Sequence, residues 1–365
     1  MKIPLYRLID KYIGPIIILA LVLFKPFKKR PRDIKNVAII RLWAIGESVL
    51  TLPLIKRIRE SYPKAIVTVI CTNRNKTVFE NLDFIDKIET LNPKIIIEFN
   101  RYDISIDTEP YLKLASIINF WIAKYPIGYN HKLSRILNKS NIDFNDNIHA
   151  ADNFVRLGKA IGVNQKKLDS LIELNPGKQD LDWAKKFTSN LNKPIIGICP
   201  TAGESAKSRE WSDKKWVNLL NQIYKKYKST IIFVSSKDNK VKIKLLQDLL
   251  NFKTLDTTDL NLQQSIALIS QLDLMISIDT GPMHIAAAQQ VSTIGLFCPN
   301  TPIRFGPLGK KNSYVYKPVL PKPCINVHKG EIPNCRNHQH MKNIDVVDVV
   351  KEIDKLNRKW KILQN

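Results

Sequence analysis

The chain has 365 residues, 57 Lys plus Arg against 33 Asp plus Glu, a formal net charge of +24, 44% hydrophobic residues and five cysteines. Its length exceeds the size at which one hydrophobic core usually keeps growing, so we expect two domains. The composition excludes disordered, collagen-like and small disulfide-stapled proteins, and the positive charge indicates a polyanionic neighbour: nucleic acid, an anionic membrane or a phosphorylated substrate.

The first 33 residues are predicted to associate with a membrane surface. Their apolar run covers residues 15–24 and is too short to cross a bilayer, which takes about 20 apolar residues. Six basic residues against one carboxylate follow in residues 25–35, where a secretory signal would have a small-residue cleavage site. Such a basic flank attracts anionic lipid and favours the cytoplasmic side. The alternative is a buried first helix followed by a solvated basic loop.

Residues 34–175 alternate short apolar runs with helical patterns, which predicts a parallel sheet covered by helices. We expect strands at 37–40, 66–70 and 104–107, the last of them ending on a carboxylate. Helices are expected at about 50–61, 73–82 and 111–124. This part of the chain therefore reads as one α/β domain.

A turn-rich break at 175–178 predicts the boundary to a second α/β domain, residues 176–343. Its expected strands are 195–199, 230–234, 274–278 and 293–297, and its expected helices are 180–191, 213–227, 237–250 and 262–271. A last helix within residues 344–365 is expected to pack back toward the first domain. Ligands of such sheets bind at the carboxyl ends of the strands, so we look for functional residues in the loops that follow them.

The segment after strand 274–278 predicts an anion-binding helix start. Thr280 can cap a helix, Gly281 lets a ligand approach the backbone, and Pro282 suits the first helical turn. The free amides and the positive dipole end suit a phosphate or diphosphate, to which His284 adds a donor. An ordinary capped helix with a buried histidine is the alternative, because capping requires no ligand.

Two further loops carry polar residues after a strand. The loop that follows strand 195–199 contains Thr201 and Gly203, and its cations Lys207 and Arg209 are able to close over phosphate oxygens. After strand 37–40, Gly46 permits a tight turn and is followed by Glu47 at a helix start, a position suited to a general base acting on an acceptor hydroxyl. A solvated charge run and a simple helix-start glutamate are the respective alternatives.

The cysteines fall into two groups. Three of them end or follow apolar strand-like runs and are predicted to be buried: Cys71, Cys199 and Cys298. A C-terminal cluster consists of Cys324, Cys335, His338 and His340. Its spacing matches no zinc pattern, so we expect a loop-tethering or incidental role and no metal site.

These segments resemble glycosyltransferase family 9, the heptosyltransferases of lipopolysaccharide core synthesis, over about residues 34–350. The motifs that carry the resemblance are Gly46-Glu47 with Leu50-Thr51-Leu52-Pro53, Lys207-Ser208-Arg209-Glu210-Trp211, and Asp279-Thr280-Gly281-Pro282-Met283-His284 with Ile285-Ala286-Ala287-Ala288. The resemblance implies the GT-B architecture, in which two Rossmann-like domains face each other across a cleft and the second holds the nucleotide-sugar donor.

The resemblance also implies roles for individual residues. Glu47 falls on the position of the family's proposed catalytic aspartate and is one methylene longer. Arg209 stands where the family carries a phosphate-neutralising lysine, and Asp279 matches an acidic residue that faces the donor sugar. The other residues of the expected donor-binding set are Thr201, Gly203, Lys207, Thr280, Gly281, Pro282, Met283 and His284.

The implied activity is the inverting, metal-independent and cofactor-free transfer of a sugar, heptose from ADP-heptose, to a lipid-linked phosphorylated acceptor such as the lipopolysaccharide inner core. The protein would be peripheral, at the cytoplasmic face of the inner membrane. Three alternatives stay open: a GT-B enzyme with another nucleotide-sugar donor, a nucleotide-sugar epimerase, and a basic nucleic-acid-binding protein. The sequence contains no helix-turn-helix, zinc-finger or RNA-binding signature, which argues against nucleic acid as the partner.

Overall fold

The computed structural model describes residues 5–318, 323–326 and 338–363. They form two compact units that divide between Leu168 and Asp169, and residues 338–363 belong to the second unit. The division thus precedes the turn-rich segment at 175–178, which leads directly into the first helix of the second unit.

The first unit is a parallel sheet with helices. Its strands are β1 (Asn36–Ile40), β2 (Ile66–Cys71), β3 (Lys87–Thr90), β4 (Tyr102–Asp107), β5 (Ala123–Tyr129) and β6 (Ser140–Ile142). Its helices are α1 (Leu5–Val22), α2 (Ile45–Ser61), α3 (Lys113–Ile122) and α4 (Ala150–Leu157). The strand order is β3-β2-β1-β4-β5-β6, and every pair is parallel. β1 and β4 are central and buried. Burial on both faces explains the apolar run of β1, whereas β4 alternates apolar residues with buried Asp103, Ser105 and Asp107.

The second unit repeats this arrangement. Its strands are β7 (Ile195–Cys199), β8 (Thr230–Phe233), β9 (Leu255–Asp256), β10 (Leu274–Ile278), β11 (Ser292–Phe297) and β12 (Ser313–Tyr316). Its helices are α5 (Lys178–Thr188), α6 (Asp213–Tyr227), α7 (Lys240–Asp248), α8 (Leu262–Ile269), α9 (Gly281–Ala288), α10 (Pro302–Phe305) and α11 (Val346–Trp360). The order is β12-β11-β10-β7-β8-β9, again all parallel.

The predicted class of two α/β halves with parallel sheets is confirmed, but the sequence missed β3, β5 and β6 in the first sheet and β9 and β12 in the second. β5 starts directly where α3 ends, so no turn signal separates the helical periodicity from the strand. The helix expected over 73–82 is a single short 3-10 turn, Lys76–Phe79. The predicted burial of Cys71, Cys199 and Cys298 is confirmed.

Helix α1 docks on α3 through one of its faces. Ile18 is fully buried and packs with Phe120 and Leu137. Its outer face exposes the apolar side chains Tyr12, Ile13, Ile16, Ile17 and Leu19. Across the described ranges, every helix is too short or too polar to span a bilayer. The membrane-surface role of residues 1–33 stays a prediction.

Helix α11 contributes its apolar face to the core of the second unit. Val349, Ile353 and Leu356 are buried in that core, and the helix packs on α6 and β12. Trp211 donates from Nε1 to the Ile344 carbonyl at 3.0 Å just before the helix begins. These contacts lie within the second unit. The expected packing of this helix toward the first domain stays a prediction.

Truncation of Ile353 tests this placement. Ile353→Ala removes a fully buried side chain and is expected to lower the free energy of unfolding by about 2–5 kcal/mol. The matched control is Val347→Ala on the exposed side of the same helix, which should change the value by less than about 0.5 kcal/mol. Urea denaturation followed by circular dichroism measures both. Equal, small effects would show that the helix is not docked as described.

Candidate functional site

A buried arginine lies at the carboxyl end of the first sheet. Arg41 directly follows β1 and is fully buried. Its Nη1 donates to the Thr108 carbonyl at 2.9 Å and its Nε to the Trp43 carbonyl at 3.1 Å. Its Nη2 donates to a carboxylate oxygen of Glu47. Three donors of one guanidinium therefore hold the loop after β1, the end of β4 and the Glu47 side chain together.

Two more carboxyl groups, those of Asp107 and Glu109, lie near this guanidinium at the end of β4. Glu109 is buried, lies 3.5 Å from Arg41 Nε through Oε1, and accepts from the amides of Leu42 and Trp43, both at 2.9 Å. Asp107 accepts from Ser116 Oγ at 2.7 Å and from the Glu109 amide at 2.9 Å. Burial raises the pKa of Asp107 to about 8, and burial also raises the pKa of Glu109 against the opposing effect of Arg41.

Glu47 is the accessible carboxylate of this group. It lies in the first turn of α2, where the positive end of the helix dipole favours an acidic side chain, and 15% of its side chain is exposed. The tight turn before the helix falls on Ala44, with φ of 62°, and not on Gly46 as expected. Gly46 instead lies buried inside the first turn of α2. An alanine in the left-handed region is strained, so the buried contacts around it fix this backbone.

An ion pair marks the carboxyl end of β10 in the second unit. Arg209 Nη1 lies 2.9 Å from the Asp279 carbonyl, to which it donates, and 3.3 Å from Asp279 Oδ2. Asn300 donates from Nδ2 to the same carboxylate at 2.7 Å. Arg209 Nε is buried and has no hydrogen-bond partner among the described residues. The guanidinium therefore retains donor capacity beside the start of α9.

The expected anion-binding residues differ in how far they are buried. Thr280, Gly281 and Pro282 are partly exposed at the mouth of α9, whereas Met283 and His284 are buried. Thr280 occupies the N-cap position, but its hydroxyl donates to the Ile278 carbonyl at 3.2 Å and does not cap the helix. The Met283 side chain packs in the core, where its sulfur would meet a Cβ placed at Gly295. Its expected contact with the nucleotide-sugar donor stays a prediction.

The backbone donors at this helix start are fewer than the sequence suggested. Pro282 has no amide hydrogen, and the Met283 amide donates to the Thr280 carbonyl at 3.2 Å. Arg209 therefore adds a side-chain positive charge to the few backbone donors at the start of α9.

The loop after β7 carries the remaining expected residues. Thr201 is buried and its hydroxyl lies 2.6 Å from Ser235 Oγ, while Gly203 and Lys207 are exposed. Gly203 has φ of −64°, and a Cβ there would meet nothing within 4 Å, so its conformation does not require glycine. Glu210 accepts from the Ala202 amide at 3.1 Å and closes the loop.

Sequence reasoning missed three kinds of partner. Glu109 supports Glu47 through Arg41, Asn300 holds Asp279, and Arg304 donates to Asn300 Oδ1 at 3.3 Å from a buried position. The available signal was position: Glu109 and Asn300 each follow a strand of a parallel sheet at its carboxyl end.

The C-terminal cysteine and histidine cluster is described only in part. Cys324 is partly buried. Cys335 and the side chains of His338 and His340 lie outside the described residues. Within the described part, no group of three or more His, Cys, Asp or Glu side chains is arranged to hold a metal ion.

Comparisons with known proteins give one consistent result. A family model for glycosyltransferase family 9 (heptosyltransferase) matches residues 97–331. Lipopolysaccharide core heptosyltransferase OpsX of Haemophilus influenzae is 26% identical over 299 residues, or 77% of this chain and 84% of that protein.

Solved structures agree at the level of the fold. The glycosyl transferase family 9 protein from Veillonella parvula has a TM-score of 0.73 at 20% identity, covering 90% of this chain and 98% of that chain. The structure of E. coli ADP-heptose LPS heptosyltransferase II has a TM-score of 0.70 at 16% identity, covering 90% and 100%.

The pH dependence of stability tests the buried carboxyl cluster. Between about pH 4 and pH 8, folded Asp107 keeps a proton that the unfolded chain has released, so stability falls as pH rises through this window. Asp107→Asn should make the decrease in the free energy of unfolding smaller by up to about 1.4 kcal/mol per pH unit. The contribution of Glu109 to that decrease should remain. Urea denaturation at several pH values measures the slope.

The control for this variant is Asp83→Asn, which changes an exposed aspartate in the same unit. It should keep the slope of the unmodified chain. If Asp107→Asn also kept that slope, Asp107 would not be protonated in the folded protein.

Proposed function

The chain belongs to glycosyltransferase family 9, and from that premise we propose that it transfers heptose from ADP-heptose to a lipid-linked, phosphorylated acceptor of the lipopolysaccharide inner core. The names of its relatives support this choice, since OpsX is a lipopolysaccharide core heptosyltransferase and the E. coli neighbour is named for ADP-heptose. The observation that carries the proposal is the Arg209–Asp279 pair at the start of α9.

The second unit binds the donor in this proposal. A nucleotide-sugar donor carries a diphosphate, whose oxygens match the planar fork of a guanidinium. Arg209 is held by the carbonyl and the carboxylate of Asp279, so its guanidinium is oriented before the ligand arrives. The partly exposed Gly281 offers a backbone amide at the start of α9, and the α9 dipole adds to the positive potential. Lys207 and the exposed Gly203 complete the donor loop.

The first unit supplies the base in this proposal. Glu47 takes the proton of the acceptor hydroxyl, and the resulting oxygen nucleophile attacks the anomeric carbon of the heptose on the face opposite the diphosphate. The new glycosidic bond forms as the bond from the anomeric carbon to the diphosphate breaks, which inverts the configuration and releases ADP. Arg41 and Glu109 orient Glu47 for this step.

The charge that accumulates on the departing diphosphate is neutralised by Arg209 and by the start of α9. A preorganised cation and a helix dipole together stabilise the negative charge that a metal ion stabilises in other phosphate-transfer sites. The proposed mechanism is accordingly independent of a metal ion and of any cofactor.

A membrane surface is the proposed working place of the enzyme, with the N-terminal segment as its anchor. The outer face of α1 is apolar, and the exposed cations Lys29, Arg30 and Arg32 follow it. An apolar helix face lying in the interface with basic residues beside it binds anionic lipid. The acceptor's phosphates and the bilayer then account for the net charge of +24.

Replacement of the base gives a direct test of catalysis. Glu47→Gln retains the size of the side chain and an acceptor for Arg41 but cannot take a proton, so kcat should fall by about 10²- to 10⁴-fold. Heptose transfer from ADP-heptose to heptose-deficient lipopolysaccharide measures kcat, and ADP-heptose binding should stay unchanged. Glu60→Gln, at the exposed far end of the same helix, is the control with normal kcat. A normal kcat for Glu47→Gln would remove Glu47 from the base role.

Removal of the cation tests the donor site. In thermal-shift measurements with ADP, UDP, GDP and CMP, ADP should stabilise the chain most, because only a ligand that binds the folded state raises Tm. Arg209→Met should weaken ADP binding by about 10- to 100-fold, and Arg209→Lys should weaken it less. Lys214→Met, which removes a nearby exposed cation, should bind ADP normally. Equal ADP affinity in Arg209→Met would refute the assigned diphosphate contact.

A further inference from the structure

A second apolar protrusion lies on the first unit, apart from α1. Residues Pro93–Ile97 form a 3-10 turn after β3, with Asn92 accepting from the Lys94 amide at 2.9 Å. Ile96 and Ile97 are 69% and 83% exposed, and Phe99 is 40% exposed. Single exposed apolar side chains are common on protein surfaces, but three within four residues form a patch that folding does not explain.

The patch is held in place by the end of α3. Trp121 donates from Nε1 to the Ile96 carbonyl at 2.7 Å, and its ring packs at 4.7 Å, between centroids, from that of Phe99. The Asn100 amide donates to the Trp121 carbonyl at 3.1 Å. These contacts fix the backbone on both sides of Ile96 and Ile97. The two side chains are therefore held in exposed positions.

A buried lysine joins this patch to the N-terminal segment. Lys28 donates to Asn100 Oδ1 at 2.6 Å and to the Ala123 carbonyl at 2.9 Å. Its ammonium group also lies 4.4 Å from the centroid of the Phe99 ring. The residue before it, Phe27, is exposed. Lys28 therefore ties the end of the N-terminal segment, where Phe27 is exposed, to the 93–99 turn.

The charged residues around the patch indicate which kind of partner it binds. The exposed cations near it are Lys29, Arg30, Arg32 and Lys94. The nearby carboxylate Glu98 pairs with Arg101 at 2.5 Å, and Arg101 also binds Glu89 at 2.7 Å, so four exposed cations stand beside one ion-paired cluster. Apolar side chains flanked by cations match the acyl region and the anionic headgroups of a bilayer. A second copy of this chain would bring the same cations against one another, which disfavours self-association through this surface.

We propose that residues 93–99 are a second membrane-contact element, which inserts Ile96 and Ile97 into an anionic bilayer beside the α1 anchor. This inference rests on the proposed function in that the acceptor is carried by the bilayer. Two contacts on one rigid unit bind more tightly than either alone, and they fix the orientation of the unit on the surface. Glu47 is then presented to membrane-bound acceptors in a constant geometry.

The test compares two double variants of the full chain. Ile96→Asp with Ile97→Asp places carboxylates in the proposed insertion site. Leu245→Asp with Leu249→Asp makes the same change at two exposed leucines of the second unit, one in α7 and one directly after it. Sedimentation with vesicles of phosphatidylglycerol and phosphatidylethanolamine measures binding. Heptose transfer to a delipidated inner-core oligosaccharide in solution measures catalysis without a membrane.

The proposal expects the 96/97 variant to bind vesicles at least about tenfold more weakly than the unmodified chain, with the 245/249 variant unchanged and both fully active on the soluble acceptor. Unaltered vesicle binding by the 96/97 variant would overturn it. Failure of the unmodified chain to bind vesicles would overturn both membrane contacts but leave the transferase assignment, if soluble transfer persists. A dimer in solution that the 96/97 changes dissociate, without an effect on vesicle binding, would assign the patch to self-association and overturn the proposal.

Discussion

Buried charge at the carboxyl ends of the parallel strands is the constraint on which both candidate sites depend. A parallel sheet covered by helices leaves its functional edge at the strand ends, and the polar residues there are removed from water. Arg41 is fully buried between Glu47 and Glu109, and Asp279 is buried between Arg209 and Asn300. Breaking a buried pair costs about 3–5 kcal/mol because one charge is left uncompensated, so the same contacts that stabilise each unit also fix its reactive groups.

Each cluster pairs a buried charged residue with a charged residue that is partly exposed. In the first unit Glu109 is fully buried and Glu47 is the carboxylate that reaches solvent; in the second, Asp279 is buried and Arg209 is 20% exposed. An ionised side chain held by a buried partner loses little conformational freedom when a substrate binds. Preorganisation of one anion and one cation in this way suits a reaction in which a proton is removed from one substrate and negative charge develops on the other.

The sequence predicted the fold class, the seven main strands and the positions of the three loops that carry the candidate site residues, because buried parallel strands and the motifs after them are local patterns. It missed short edge strands such as β9, whose two residues carry no periodicity. It also missed β5, because no turn separates this strand from α3. Glu109 and Asn300 were missed because their partners, Arg41 and Asp279, are distant in sequence. The burial of Met283 was not predictable because a contiguous motif gives no information on which of its side chains point into the core.

A crystal structure of the full chain with ADP-heptose tests the central claim most directly. The account predicts that the diphosphate lies at the start of α9, within hydrogen-bonding distance of the Arg209 guanidinium and the Gly281 amide. A diphosphate bound elsewhere, with the mouth of α9 covered by protein side chains, would contradict it.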